Sequence, residues 1–180
     1  MNIISTTKIW DDKKYDTIID VRSPSEFNED HIPGAINLPV LDDKERKKIG
    51  IIYKNKSPFE AKVLGSSLVT KNISEYLIKN LKNKNGAWKP LVYCWRGGQR
   101  SKALCLIMQE IGWRVSQLEG GYKHYRNDIT KKLQKLSPKL KIILISGKTG
   151  TGKTKLLNEI KLKNGQIIDL EGIACHKGSL

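Results

Sequence analysis

Leu91-Val-Tyr-Cys-Trp95, followed without a break by Arg96-Gly-Gly-Gln-Arg-Ser101, is the stretch on which the fold turns. Its first five residues form a short apolar run, the pattern of a buried strand. From Ser101 to Ile111, the residues Ala103, Leu104, Ile107, Met108 and Ile111 share one helical face, and Gly112 supplies a left-handed cap. A strand, a glycine loop and a helix in succession make the repeating unit of an α/β fold. Its ligand crevices open at the carboxyl ends of the strands.

Cys94 stands at such an end. Gly97 and Gly98 allow backbone N–H groups to turn inward as an anion-binding nest. The helix start adds a partial positive charge, and Arg96 and Arg100 add whole charges. Together these favour thiolate over thiol at Cys94. The loop of Trp95, Arg96, Gly97, Gly98, Gln99, Arg100 and Ser101 is therefore expected to hold a persulfide, a selenium adduct or an oxyanion. The other two of the three cysteines differ. Cys105 sits inside the apolar helix and reads as core, and Cys175 beside His176 is at most a fragment of a ligand set. With an odd count and no C-x-x-C pair, a disulfide framework or a zinc site is not expected.

Outward from this loop the alternation continues. Upstream, Thr17-Ile-Ile-Asp-Val21 reads as a strand, and Ser23 then caps a helix with Pro24 at its first position. Pro33-Gly34 is a turn before a short strand, Ala35-Ile-Asn-Leu38. Asp42 to Lys48 reads as an exposed turn or short helix. Pro58 to Leu81 has helical spacing over a length that suggests two helices broken near Lys71-Asn72. Downstream, Val115-Ser-Gln-Leu118 is a strand closed by Glu119-Gly-Gly-Tyr122. The expectation is a parallel sheet with helices on both faces in residues 1–130 and a lysine-rich linker at 131–140. A second unit then begins in 141–180.

That second unit opens with Lys141-Ile-Ile-Leu-Ile145, predicted as a strand, and continues with Gly147-Lys148-Thr149-Gly150-Thr151-Gly152-Lys153-Thr154. The octapeptide satisfies G-x-x-x-x-G-K-[ST] in full, between a predicted strand and a predicted helix over 153–160. Its N–H groups would cradle phosphates, Lys153 would reach the terminal ones, and Thr154 could bind Mg²⁺. Gln166-Ile-Ile-Asp-Leu170 is a further predicted strand, with Asp169 as either a metal partner or a turn residue. A strand, loop, helix and strand cannot close a core alone. This half is expected to be incomplete, the polypeptide truncated at its carboxyl end, and its binding of nucleotide poor.

The chain has 180 residues, 38% of them hydrophobic, with 33 Lys+Arg against 18 Asp+Glu and a net charge of +15. Such a surface suits a polyanion, although lysine-rich composition alone also solvates a protein. No apolar run reaches the ~18–20 residues of a membrane span, and Met1 to Asp11 lacks the pattern of a signal peptide. A cytoplasmic location without membrane association is expected.

Asp20-Val-Arg-Ser-Pro-Ser-Glu-Phe27 with His31-Ile-Pro-Gly-Ala-Ile-Asn-Leu-Pro39 resembles the N-terminal signature of rhodanese domains. The cysteine loop and Glu119-Gly-Gly-Tyr122 resemble two further hallmarks in the right order. The resemblance implies a rhodanese-like fold in which Cys94 is the nucleophile that accepts and passes on sulfur. Joined to the phosphate loop, the chain is similar over its whole length to the tRNA 2-selenouridine synthase family. Ile52-Tyr-Lys54, Ser57-Pro-Phe-Glu-Ala61, Asp169-Leu-Glu-Gly172 and His176-Lys-Gly-Ser179 agree as well. This resemblance implies a transferase that replaces sulfur by selenium at the wobble 2-thiouridine of tRNA. It further implies selenophosphate as donor, a geranylated intermediate, no tightly bound cofactor, and an enzyme supplying selenophosphate as partner. Three alternatives stay open: a stand-alone thiosulfate-type sulfurtransferase, a Cys-x5-Arg phosphatase, and a non-catalytic RNA-binding module. The phosphatase has no evident general acid, and Tyr93 stands where many tyrosine phosphatases have histidine. Oligomeric state is not legible in the sequence.

Overall fold

The computed structural model describes residues 4–8, 10 and 12–174. Cys175 and the segment 176–179 lie outside the described residues. The chain divides into two compact units, Met1–Lys135 and Leu136–Leu180.

The first unit is built on a five-stranded sheet in the order β1-β5-β4-β2-β3. The strands are β1 (Thr6–Thr7), β2 (Thr17–Asp20), β3 (Ile36–Asn37), β4 (Pro90–Tyr93) and β5 (Ser116–Leu118). Every pairing is parallel. In the central pair Ile18 lies beside Leu91, Ile19 beside Val92 and Asp20 beside Tyr93. Successive side chains leave a strand on opposite faces, so each strand feeds two cores. Ile18, Leu91, Tyr93 and Leu118 pack on one face with Ile32 and Tyr122. Ile19, Val21, Val92 and Cys94 pack on the other with Ile73, Leu104, Cys105 and Met108. Burial on both faces is why these strands read as unbroken apolar runs. Fully burying one such aliphatic residue contributes roughly 1.5–3 kcal/mol.

Helices cover both faces. α3 (Pro58–Tyr76) and α4 (Gln99–Ile111) bring Ile73, Leu104, Cys105 and Met108 to one core. α5 (Gly121–Leu136) brings Tyr122 and Tyr125 to the other. α1 (Pro24–Glu29) starts at the predicted cap, with the backbone N–H of Ser23 donating to Glu26. Gly112 ends α4 with φ +99°, in the left-handed region where the cap requires a glycine.

Two segments differ from their sequence patterns in extent. The charged stretch after Asp42 is a 13-residue helix, α2 (Asp43–Asn55), because Asp42 and Glu45 form a reciprocal capping box that nucleates it. The segment after Pro58 does not break near Lys71-Asn72. It runs 19 residues and then widens into a π-helical turn, Leu77–Leu81. Asn72 is tolerated inside α3 because its side-chain amide donates to Val40 O at 3.1 Å and to Glu45 at 2.8 Å.

The second unit contains α6 (Lys153–Leu162) and α7 (Leu170–Ile173). The strands expected at 141–145 and 166–170 are not formed. A strand's backbone groups need a neighbouring strand, and none of the five sheet strands comes from this unit. Ile142, Ile143 and Leu144 are exposed. The segment expected as linker is helical as far as Leu136, followed by a 3-10 turn, Ser137–Lys139. No described helix is long and apolar enough to cross a membrane.

Candidate active site

β4 delivers Cys94 to the carboxyl edge of the sheet, and α4 begins five residues later. The intervening loop wraps the sulfur. The Gly98 N–H and the Ser101 hydroxyl both donate to Cys94 Sγ at 3.2 Å. Ser101 lies in the first turn of α4 and is fully buried. Two donors converging on one sulfur suit a negatively charged atom there.

The loop is braced from outside itself. The Tyr122 N–H donates to Cys94 O at 2.9 Å and the Lys123 N–H to Trp95 O at 3.0 Å, so the start of α5 grips the loop backbone. This approach demands glycine. A Cβ on Gly121, at φ +58°, would lie 2.1 Å from Cys94 O and 2.6 Å from Gly97 N. One on Gly97, at φ +66°, would lie 2.6 Å from Leu118 O. From β5, buried Gln117 reaches across with its side-chain amide. Its Nε2 donates to Gly97 O at 2.9 Å, to Gly98 O at 3.2 Å and to Ser101 Oγ at 2.7 Å. Gly98 O also accepts the helical N–H of Lys102. The Ser101 hydroxyl stands 3.2 Å from Gly98 O as well as from the sulfur, and that carbonyl is already engaged by Gln117 and Lys102.

A buried ion pair supports the other side. Asp20 and Arg22, both essentially unexposed, meet through Nη2 at 2.7 Å and Nε at 2.9 Å. Arg22 also donates to Asp30 O at 2.6 Å and lies over the Tyr122 ring at 4.1 Å and the Trp95 ring at 5.9 Å. Burial lowers the Arg22 guanidinium's proton affinity, but its hydrogen bond to Asp20 and Asp20's charge outweigh this and raise it. Burial and the hydrogen bond to Asp30 push the Tyr122 hydroxyl up to about 12. Burial also drives the Tyr93 hydroxyl far upward, and its oxygen accepts the Ile32 N–H. A small cavity beside the loop is lined by Arg22, Glu26, Trp95, Tyr122 and Arg126.

The expected loop residues thus occupy different roles. Gly97, Gly98 and Ser101 surround the sulfur, Trp95 packs on Tyr122 with ring centroids 5.4 Å apart, and Arg96 and Gln99 are exposed. Arg100 is committed elsewhere: it pairs with Glu26 at 2.7 Å, and Arg46 holds the same carboxylate at 3.0 Å. Burial alone would raise the Glu26 carboxyl, but Arg100, the Ser23 N–H and Arg46 hold it below the ordinary range. Cys105 is core, its thiol pushed up to about 12 by burial. Gln117, Asp20, Arg22 and Glu26 escaped sequence reasoning as site residues. The available signal was a polar residue at a buried strand position.

The phosphate loop is built from the same local parts but stands exposed. Gly150 (φ +81°) and Gly152 (φ +80°) take the left-handed turns, and Gly152 caps α6. Lys153 Nζ donates back to Gly147 O at 2.8 Å and Lys148 O at 2.9 Å, while Thr151 Oγ1 donates to Lys148 O at 2.8 Å. Thr154 lies in the first turn of α6. Asp169 caps α7, its Oδ1 accepting the Gly172 N–H at 3.0 Å. Among the described residues no group of three or more His, Cys, Asp or Glu is placed to hold a metal ion.

Residues 6–128 match the model of the rhodanese-like domain, and residues 140–180 match that of the tRNA 2-selenouridine synthase AAA domain. The chain is 40% identical over 170 residues to a tRNA 2-selenouridine synthase of Bdellovibrio bacteriovorus, covering 90% of this chain and 42% of that protein. A Sulfurovum relative of the same name is 41% identical, with 90% and 44% covered. The chain therefore spans less than half the length of these curated relatives. Among solved structures, the N-terminal domain of a protein named for ATP/GTP binding from Clostridium difficile 630 matches with a TM-score of 0.56 and 36% identity. That match covers 63% of this chain and 88% of the other.

Proposed function

The chain belongs to the rhodanese-like domain family, and on that premise we propose that it acts in tRNA modification, replacing sulfur by selenium at the wobble 2-thiouridine, with Cys94 as the nucleophile. The observation that carries this reading is the convergence of the Gly98 N–H and the Ser101 hydroxyl on Cys94 Sγ. Similarity to tRNA 2-selenouridine synthases over both segments supports the assignment of substrate and cargo.

The chemistry proposed for Cys94 is nucleophilic transfer. Its thiolate attacks the terminal sulfur of a sulfane donor, the donor's own bond to that sulfur breaks, and the bonding pair leaves with the donor. With thiosulfate, sulfite departs and a Cys94 persulfide remains. Selenophosphate, from a partner enzyme, is the donor in this reading. Geranyl diphosphate alkylates the 2-thio group, releasing diphosphate; the selenium of selenophosphate then attacks C2, geranylthiolate leaves, and water cleaves the P–Se bond to release phosphate. The phosphate loop, residues 147–154, is proposed to bind that diphosphate through its N–H groups and Lys153. Thr154 is the hydroxyl that would hold an accompanying Mg²⁺, which would neutralise diphosphate charge.

A second reading, a stand-alone sulfurtransferase, is favoured by one observation. Every residue that braces Cys94 lies in the unit Met1–Lys135. Mass spectrometry of tRNA separates the two. Cells lacking the gene should lose wobble 2-selenouridine, and complementation with Cys94→Ser should not restore it. Unchanged selenouridine in the deletion strain would remove the tRNA reading and leave the second.

A further inference from the structure

The helix that grips the cysteine loop also presents a one-signed polar face. α5 runs 16 residues from Gly121, and its N–H groups at Tyr122 and Lys123 are bonded to Cys94 O and Trp95 O. At ~100° per residue, Tyr122, Tyr125 and Ile129 form the stripe turned to the sheet. Lys123, Asn127, Thr130, Lys131, Gln134 and Lys135 fall on the opposite side, and all are exposed. Asp128 lies at the border of that side, on the line of Lys135. The only acid within α5 is Asp128, which pairs with Lys132 at 2.9 Å and accepts the Trp10 indole N–H at 3.0 Å. Glu119, just before the helix, pairs with Lys8 at 3.7 Å. Lys123, Lys131 and Lys135 make no ion pair among the described residues. Arg126 shares its cavity with Glu29 and Asp30 and is not counted with them. At ~1.5 Å per residue, Lys123 to Lys135 spans about 18 Å, starting at the nucleophile's own loop.

We propose that this face of α5, through Lys123, Lys131 and Lys135, is the track for the RNA backbone phosphates of the substrate, leading to Cys94. The inference rests on the tRNA reading above. Phosphate contacts position a nucleic acid without reading its sequence, and a row of unpaired cations with the exposed side-chain amides of Asn127 and Gln134 between them has that composition. Net charge alone does not choose this face. A cleft of about 610 Å³ at the opposite edge of the sheet is also basic, lined by Lys84, Lys89 and Arg114 with Asp16. It lies where β2 and β4 begin, at the far ends of those strands from Cys94.

The two faces supply matched variants. Lys131→Gln/Lys135→Gln and Lys84→Gln/Lys89→Gln each remove two charges from the 180-residue chain. Binding of an anticodon stem-loop RNA is measured over a salt series, and Cys94 persulfide formation from thiosulfate is measured on the same preparations. The α5 variant should reduce the slope of log K against log salt by about 2, and the cleft variant by less than about 1. Both should form the persulfide. Equal slope losses, a larger loss in the cleft variant, or no RNA binding by the unaltered protein would overturn the track. Failure of the unaltered protein to form the persulfide would instead strike the reading of Cys94.

Discussion

The cysteine loop and the phosphate loop are written in the same local grammar, glycines before a helix, yet the first closes on a buried cysteine at a sheet edge and the second stands exposed. Around Cys94, Gln117 arrives from β5, Tyr122 and Lys123 from α5, and Arg22 from the end of β2. Around Gly150, the loop's own Lys153 and Thr151 donate to Gly147 O and Lys148 O. The difference teaches that a motif states what a turn can bind, while the surrounding sheet decides how rigidly the turn is kept.

Backbone protection should show the largest contrast. The Val92 amide, in the centre of β4, should exchange only on global or near-global opening, and the exposed Ile143 amide within the dead time of a hydrogen-exchange experiment. Comparable protection at both positions would break the comparison. Glycine substitutions come next. Gly121→Ala places a methyl against Cys94 O and Gly97 N, and should cost several kcal/mol and abolish thiosulfate sulfurtransfer. Gly150→Ala meets nothing within 4 Å. It should cost only the ~1–2 kcal/mol of a left-handed conformation. Thermal unfolding of both variants measures the difference.

Gln117→Leu is the finer probe. It leaves the Ser101 hydroxyl without the donor that orients it, and should cost roughly 1–3 kcal/mol. If Gln117 positions the sulfur's partner, kcat for thiosulfate should fall with KM unchanged. A loss of stability with unaltered kcat would reduce it to a packing residue. The smallest effect concerns pH. Glu26 is held below the ordinary carboxylate range, so the stability it adds is complete above about pH 4.5. That stability is lost as pH falls through the lowered value. Arg100→Gln should shift the loss to higher pH, visible as an earlier drop of the unfolding midpoint on acidification.

The strands, the cysteine loop and α4 were legible because burial on both faces leaves continuous apolar runs and because Gly97-Gly98 announces a turn. The extent of α2 was hidden because its stability comes from the Asp42–Glu45 box rather than from an apolar stripe. Ile142-Ile-Leu144 has a strand's composition but no strand partner, and periodicity cannot report a missing neighbour. Gln117 and Glu26 were invisible as site residues because each acts across more than fifteen positions of sequence, through Ser101 and Arg100. The roles of Arg96 and Arg100 looked alike in sequence and separate only once Glu26 is seen to hold the second.

Cys94 is the residue proposed as the nucleophile that takes the transferred sulfur. Peptide mass mapping of the protein after incubation with thiosulfate tests this most directly, under conditions that preserve persulfides. One added sulfur on the peptide carrying Cys94, with Cys105 unmodified, is the predicted result. An unmodified Cys94, or sulfur carried on another cysteine, would contradict it.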